Sequence, residues 1–139
     1  MLKLLSFCFI FFISACTVLP EIKELPPQTE SVKSFKVENN GQQSLLVIQF
    51  YENKWRWIQT DPLGSPLARV ILTPNGWQND GFVMPNQQAK LLFSAVANVL
   101  NPNEQPFQLD SRWRLEINSP EFFITLPDGS QWKIRELQE

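Results

Sequence analysis

Residues 54–77 read KWRWIQTDPLGSPLARVILTPNGW and carry the pattern of antiparallel strands joined by tight turns. Apolar and polar side chains alternate, and Trp55 and Trp57 fall on the same side, as expected where one face of a sheet is buried. Asn75-Gly76 is a strong local signal for a hairpin turn. The pattern predicts three successive strands: Lys54–Thr60, Pro66–Leu72 and Trp77–Val83.

One segment downstream has helical periodicity. Asn86 is a suitable N-cap residue, and Asn101-Pro102 ends the pattern, since a proline cannot continue a helix. The sequence therefore predicts an amphipathic helix at Gln87–Leu100. Its apolar side chains lie on one stripe: Ala89, Leu92, Phe93, Val96, Val99 and Leu100.

Further runs of period two flank this central region. They predict strands at Gln43–Tyr51, Arg112–Ile117, Glu121–Leu126 and Gln131–Leu137. Strands that are aromatic on one face and polar on the other favour a single sheet covered on one side. We expect an α+β domain at residues 34–139, in which a curved antiparallel half-barrel of about seven or eight strands has the helix covering its concave face.

The N-terminus has the pattern of a lipoprotein signal. Residues 1–16 read MLKLLSFCFIFFISAC, and the apolar run at 4–13 is too short to span a bilayer as a helix. Ile13-Ser14-Ala15-Cys16 resembles a lipobox, in which small residues admit the backbone to the peptidase and the thiol is lipidated. The alternative is an ordinary signal peptide with a cysteine near its end by chance. The pattern predicts a signal peptide at 1–15 and lipid attachment at Cys16.

The segment at residues 16–33 carries the predicted lipidated cysteine and has the composition of a tether. Three prolines and three glutamates occur between Thr17 and Lys33, with little apolar periodicity. An extended chain of this length reaches roughly 50 Å. Three acyl chains would make the membrane the main partner. Because residue 17 is not aspartate, the sorting rule of Gram-negative bacteria implies the outer membrane, with the domain facing the periplasm.

Composition excludes several classes of function. The chain of 139 residues has a net charge of −2 and no histidine. The charge argues against nucleic-acid binding, and the absence of histidine removes the commonest general base and metal ligand. Five glycines cannot be arranged into a dinucleotide or phosphate loop. We expect no cofactor, no metal and a monomer.

Two features bear on catalysis. Ser130-Gln131-Trp132-Lys133 has the SxxK spacing of acylating serine enzymes. That motif opens a helix in those enzymes, whereas here it begins a strand, which places Ser130 and Lys133 on opposite faces. Aspartates that could form a carboxylate pair lie beside turn signals, where aspartate bonds to the local backbone. We therefore predict that the protein is not an enzyme and has no catalytic residues.

The lipobox, the proline-rich segment, and the runs LGSPLARVILTPNGW (63–77) and FFITLPDGSQWKIREL (122–137) resemble the LolA/LolB superfamily of lipoprotein-localisation proteins. The segment at 55–81 with the helix that follows is similar to LolB-like outer-membrane lipoproteins, whose function is largely unassigned. The resemblance implies a half-barrel with a lid that holds acyl chains. The sequence departs from LolB in one respect: no counterpart is identified for the protruding loop whose exposed leucine inserts lipoproteins, and Leu63 and Leu67 in the turn region match it too loosely for that role to be carried over.

The resemblance predicts a lipid-anchored protein that binds an acyl chain, a lipid or a lipoprotein. The lining of a hydrophobic hollow would come from the helix stripe and the tryptophan face of the sheet. The alternative is a structural or interaction lipoprotein with a filled core, since large side chains also serve packing. The candidate lining residues are Trp55, Trp57, Trp77, Leu92, Phe93, Val96, Trp113 and Trp132.

Overall fold

The computed structural model of the protein describes residues 18–81, 83 and 85–137. Over these residues the chain forms eight β-strands and one α-helix, and this helix is too short to cross a membrane. The elements are β1 (Val32–Asn39), β2 (Gln42–Tyr51), β3 (Lys54–Thr60), β4 (Pro66–Thr73), β5 (Gly76–Asn79), α1 (Gln87–Leu100), β6 (Arg114–Asn118), β7 (Glu121–Thr125) and β8 (Gln131–Leu137).

All eight strands belong to one antiparallel sheet in the order β5-β4-β3-β2-β1-β8-β7-β6. Strands that are neighbours in sequence pair with each other, except that β5 and β6 do not, and β1 also pairs with β8. This pairing joins the strands before the helix to those after it. β5 and β6 form the two edges, so the sheet is open.

The strand register places the apolar side chains on one face of the sheet. Ile48 pairs with Trp57, which in turn pairs with Val70, and all three are buried. Val37 pairs with Ile134 in the same way on the other half of the sheet. Because paired residues of antiparallel strands point to the same side, these rows form a continuous apolar face.

The helix packs against this face. It starts as predicted, because the side chain of Asn86 accepts a hydrogen bond from the backbone N–H of Ala89 at 3.0 Å. Ten consecutive residues from Ala89 to Asn98 are buried, so the helix is covered on all sides rather than along one stripe. Trp57 and Trp77 of the sheet contact it directly.

The strand β1 is absent from the sequence-based assignment, which begins the strands at Gln43. The sequence nevertheless carries a signal for the turn that joins β1 to β2. Asn40 and Gly41 form this turn, with φ angles of 51° and 77°. Asn-Gly is favoured at such turns because both central residues need positive φ. β1 begins at Val32, so the sheet extends into the segment predicted as a tether.

The prediction of a free tether at residues 16–33 is also wrong for the part that the structure describes. Ile22 forms an antiparallel bridge with Phe107, and the N–H of Lys23 donates to the carbonyl of Pro106 at 2.7 Å. The side chain of Gln28 donates to Asn101 at 2.7 Å. The apolar residues that sequence analysis judged aperiodic pack on the core: Leu19, Ile22 and Leu25. Residues 19–28 are therefore a strap across the domain.

The remaining elements differ from prediction mainly at two ends. β5 stops at Asn79 instead of Val83, and Asp80, the next residue, forms ion pairs with Arg56 and Arg69. β6 starts at Arg114 instead of Arg112, because the carboxylate of Asp110 accepts hydrogen bonds from the backbone and side chain of Arg112. The predictions for β3, β8 and α1 are confirmed at both ends.

Candidate functional site

Most of the predicted lining residues lie in the packed core. Trp55, Trp57, Leu92, Phe93 and Val96 are each at most 2% exposed. Trp77 and Trp113 are partly buried against the same core. Trp132 borders a cavity.

Aromatic rings fill the space between the helix and β3–β5. Trp57 stacks on Phe93 with ring centroids 5.0 Å apart and planes at 19°. Trp77 meets Trp57 edge-on at 5.4 Å and stacks on Phe107 at 5.9 Å. Such spacings are those of direct ring contact. The hydrophobic hollow expected between these residues is therefore occupied by the side chains that were expected to line it.

A cavity of about 490 Å³ lies instead at the N-terminal end of α1. It opens between the ends of β1, β2 and β3, the β3–β4 turn and the first turn of the helix. Its volume falls within the range of small-molecule sites. Sequence analysis missed this location, because it depends on which loop ends the sheet brings together.

The cavity has two kinds of wall. Its apolar lining comes from Val37, Pro62, Leu67, Ala89 and Trp132. Its uncharged polar lining comes from Asn39, Gln42, Gln43, Ser44, Gln59, Asn86 and Gln88. Asp61 is the one residue with a formal charge among those that line it. The lining is thus amphipathic and nearly uncharged.

The β3–β4 turn displays a leucine beside this cavity. Leu63 is 94% exposed, and the neighbouring Leu67 is 42% exposed. The carboxylate of Asp61 accepts hydrogen bonds from the backbone N–H groups of Leu63 and Ser65, each at 2.9 Å. Two backbone bonds between Asp61, Gly64 and Ser65 close the same turn. These four bonds hold an exposed apolar side chain on a turn whose residues Asp61 and Pro62 line the cavity.

The serine–lysine motif is split between separate networks. Ser130 donates to Asp128 through its hydroxyl and accepts from the indole N–H of Trp132 at 2.9 Å. The ammonium of Lys133 lies 3.6 Å from a carboxylate oxygen of Glu121. Each group thus has its own polar neighbours, and no Ser130–Lys133 hydrogen bond occurs in the described part of the chain.

Asp128 connects this turn to the cavity wall. Burial raises the pKa of its carboxyl, but hydrogen bonds from Ser130 and from Gln88 lower it by more, so the pKa lies below its ordinary value. The amide of Gln88, at the start of the helix, donates to Asp128 at 3.1 Å. The β7–β8 turn and the helix N-terminus are therefore linked at the cavity.

Two buried polar side chains were missed by sequence analysis, which assigned no role to the polar residues of the helix. The amide of Asn98 donates to the carbonyl of Phe107 at 2.8 Å and accepts from its N–H at 2.9 Å. Ser94 accepts from the indole N–H of Trp77 at 3.0 Å. Their spacing of four places them on one side of the helix, and this was the signal available in the sequence.

The predicted lipid-attachment site and the comparisons with known proteins identify no further residues of the candidate site. Cys16 and the predicted signal peptide at 1–15 lie outside the described residues. Within residues 18–81, 83 and 85–137, no three acidic or cysteine side chains gather into a set that could hold a metal ion. The chain matches no protein-family model, curated protein or solved structure with which it was compared.

Proposed function

We propose that the protein is a lipid-anchored protein of the cell envelope that binds a hydrophobic ligand or an acylated partner at the β3–β4 turn and the adjoining cavity. The observation that carries this proposal is Leu63, which is 94% exposed at the tip of a hydrogen-bonded turn beside a cavity of about 490 Å³. A single exposed leucine is ordinary, but Leu63 belongs to the same turn region as exposed Pro62 and Leu67, which line the cavity, and the three form an apolar surface beside it.

The anchor is part of the same proposal. Lipidation of Cys16 would fix the protein to the outer membrane of a Gram-negative host, with the domain in the periplasm as a monomer that does not bind nucleic acid. The strap begins to contact the core at Leu19, only three residues after this cysteine. At about 3.3 Å per residue, the domain would stand within roughly 10 Å of its anchor.

A LolB-like architecture agrees with this function. The open eight-stranded sheet and its single helix support a half-barrel in which α1 covers the concave face. Leu63 lies between β3 and β4, where it would serve as the protruding leucine. The ligand would enter at the end of the helix, because aromatic rings occupy the space beneath its middle.

A second candidate function is supported by that filled core. A protein whose helix is packed all round has no room for a long acyl chain inside its core. It would act as an interaction lipoprotein that supports a membrane-associated complex through its surface. The stack of Trp57 on Phe93 favours this candidate.

Binding of a synthetic diacylated lipopeptide tests the first candidate. The soluble form that starts at Thr17 retains every described residue. We expect it to bind the lipopeptide and not the same peptide without acyl chains. Replacing Leu63 with glutamate should weaken binding about tenfold or more, because burial of a leucine contributes about 1.5–3 kcal/mol.

The matched control is Ile117→Glu, since Ile117 is 61% exposed on the edge strand β6 and does not line the cavity. This variant should bind as the unaltered protein does. Equal affinity for the acylated and the unacylated peptide would reject the first candidate. Binding of neither peptide would favour the interaction lipoprotein.

A further inference from the structure

We infer that the cavity at the N-terminal end of α1 selects amphiphiles whose polar part is uncharged, such as an amide, an ester or a set of hydroxyl groups, over amphiphiles with an anionic head. This inference rests on the proposed function, since it names the ligand class of the same site. It goes beyond that function because a hydrophobic tail alone does not distinguish a neutral lipid from a fatty-acid anion.

Charge is the first argument. Among the described residues, neither lysine nor arginine lines this cavity, and Asp61 supplies one negative charge. An anionic head placed here would lose hydration and gain no counter-charge. The cationic side chains of Lys33, Lys36 and Arg135 border a separate cleft of about 750 Å³ at the other end of the helix, beside Val99 and Leu100.

Carboxamide chemistry is the second argument. Each asparagine or glutamine amide offers two N–H donors and one carbonyl acceptor. Asn39, Gln42 and Gln88 line the cavity, and the amide of Gln88 also donates to Asp128. A ligand hydroxyl or amide N–H can donate to the carbonyl oxygen of such an amide, whereas a carboxylate cannot donate.

The apolar side of the cavity gives the ligand a direction. Leu67 and Pro62 connect the cavity to the exposed Leu63, while Asn39 and Gln42 lie at the β1–β2 end. The uncharged head would therefore lie among the carboxamides, and the tail would extend toward the β3–β4 turn. Trp132 lines the cavity and would flank the ligand. Its indole N–H already donates to Ser130, so its ring is left for apolar contact.

The test compares two probes with the same ten-carbon tail. N-decanoyl-N-methylglucamide has a neutral head with an amide and hydroxyl groups, and decanoate has a carboxylate. Dissociation constants are measured by isothermal titration calorimetry below the micelle concentration, at neutral pH, on the soluble form that starts at Thr17. We expect the glucamide to bind about tenfold more tightly than decanoate.

A positive charge introduced at the cavity tests whether the selectivity between the two probes arises there. Gln42 lies exposed on β2 and lines the cavity, whereas Gln78 lies exposed on β5 and does not. Gln42→Lys should strengthen decanoate binding about tenfold, because it supplies the missing cation. The control Gln78→Lys should leave both dissociation constants unchanged. Far-ultraviolet circular dichroism of both variants checks that each is folded.

Three results would overturn the inference. Equal or tighter binding of decanoate by the unaltered protein would reject the selectivity and leave the proposed function standing. A preference for the glucamide that neither variant changes, or that both change equally, would place the binding outside this cavity. If neither probe binds, both the proposed acyl-binding function and this inference are rejected.

Discussion

The ring of Trp57 lies on the ring of Phe93, with centroids 5.0 Å apart and an angle of 19° between the planes. Trp57 comes from the middle of β3 and Phe93 from the middle of α1, and both are fully buried. This stack joins the sheet to the helix at the place where a hollow was expected. The core is therefore packed by the same aromatic side chains that the sequence offered as a ligand lining.

Overfilling this core should destabilise the protein. Val96 is fully buried one helical turn after Phe93. We expect Val96→Trp to lower the free energy of unfolding by about 1–3 kcal/mol, because extra volume in a packed core forces side chains out of their preferred rotamers. Urea denaturation measures the change. The exposed Ile117→Trp is the control, and an unaltered midpoint for Val96→Trp would indicate an open hollow.

The side chain of Asn98 should contribute to the stability of the fold by holding the loop that contains Phe107. Asn98→Ala leaves the buried N–H and carbonyl of Phe107 without their present partners. Unpaired buried groups of this kind cost about 1–3 kcal/mol. We expect a loss of that size in the free energy of unfolding by urea denaturation. Asn103→Ala, in the exposed part of the same loop, should have little effect, and equal losses would contradict the assignment.

The strap can be distinguished from a tether by amide exchange. The N–H of Lys23 donates to Pro106 at 2.7 Å, so its hydrogen should exchange much more slowly than that of an unstructured chain. Hydrogen–deuterium exchange with mass spectrometry over residues 19–28 measures the protection. Ile22→Asp should abolish it by placing a charge against the core. Coil-like exchange in the unaltered protein would restore the tether hypothesis.

Lipidation depends on one thiol. Cys16→Ser should prevent attachment of diacylglycerol and cleavage by the lipoprotein signal peptidase, because the hydroxyl does not replace the thiolate in this reaction. Labelling with radioactive palmitate measures the attachment. Cys8→Ser, within the predicted signal peptide, is the control and should label normally. Unchanged labelling of Cys16→Ser would reject the lipoprotein prediction.

The carboxyl group of Asp128 should make the stability of the folded protein depend on pH. Burial opposes ionisation, but hydrogen bonds from Ser130 and Gln88 hold the pKa below its ordinary value in the folded protein. The unfolded chain therefore takes up this proton more readily, and the stabilising contribution, complete at neutral pH, is lost as the pH falls below about 4. Thermal unfolding midpoints between pH 7 and pH 3 should fall less steeply for Asp128→Asn. Parallel curves would contradict this expectation.

Local signals were sufficient for most elements. The alternation at Lys54–Thr60 and the Asn86 cap of α1 each depend on neighbouring residues, and both predictions are confirmed. β1, which the prediction lacks, was encoded locally as well, since its Asn40-Gly41 turn is a strong hairpin signal. The lipid anchor at Cys16 stays a prediction from the sequence alone.

The candidate site could not be predicted in the same way. Asn39, Pro62 and Gln88 come from β1, the β3–β4 turn and α1, and only the tertiary arrangement of the sheet and the helix brings them to one cavity. The sequence by itself determined the strands, the turns and the helix, because backbone preferences and side-chain periodicity act over a few residues. Only the tertiary structure decided that the tryptophan face is filled, that Ile22 is docked and that a cavity lies at the helix N-terminus. The physical reason is that packing depends on the shapes of side chains far apart in the chain, and periodicity specifies which face is apolar without specifying what fills it.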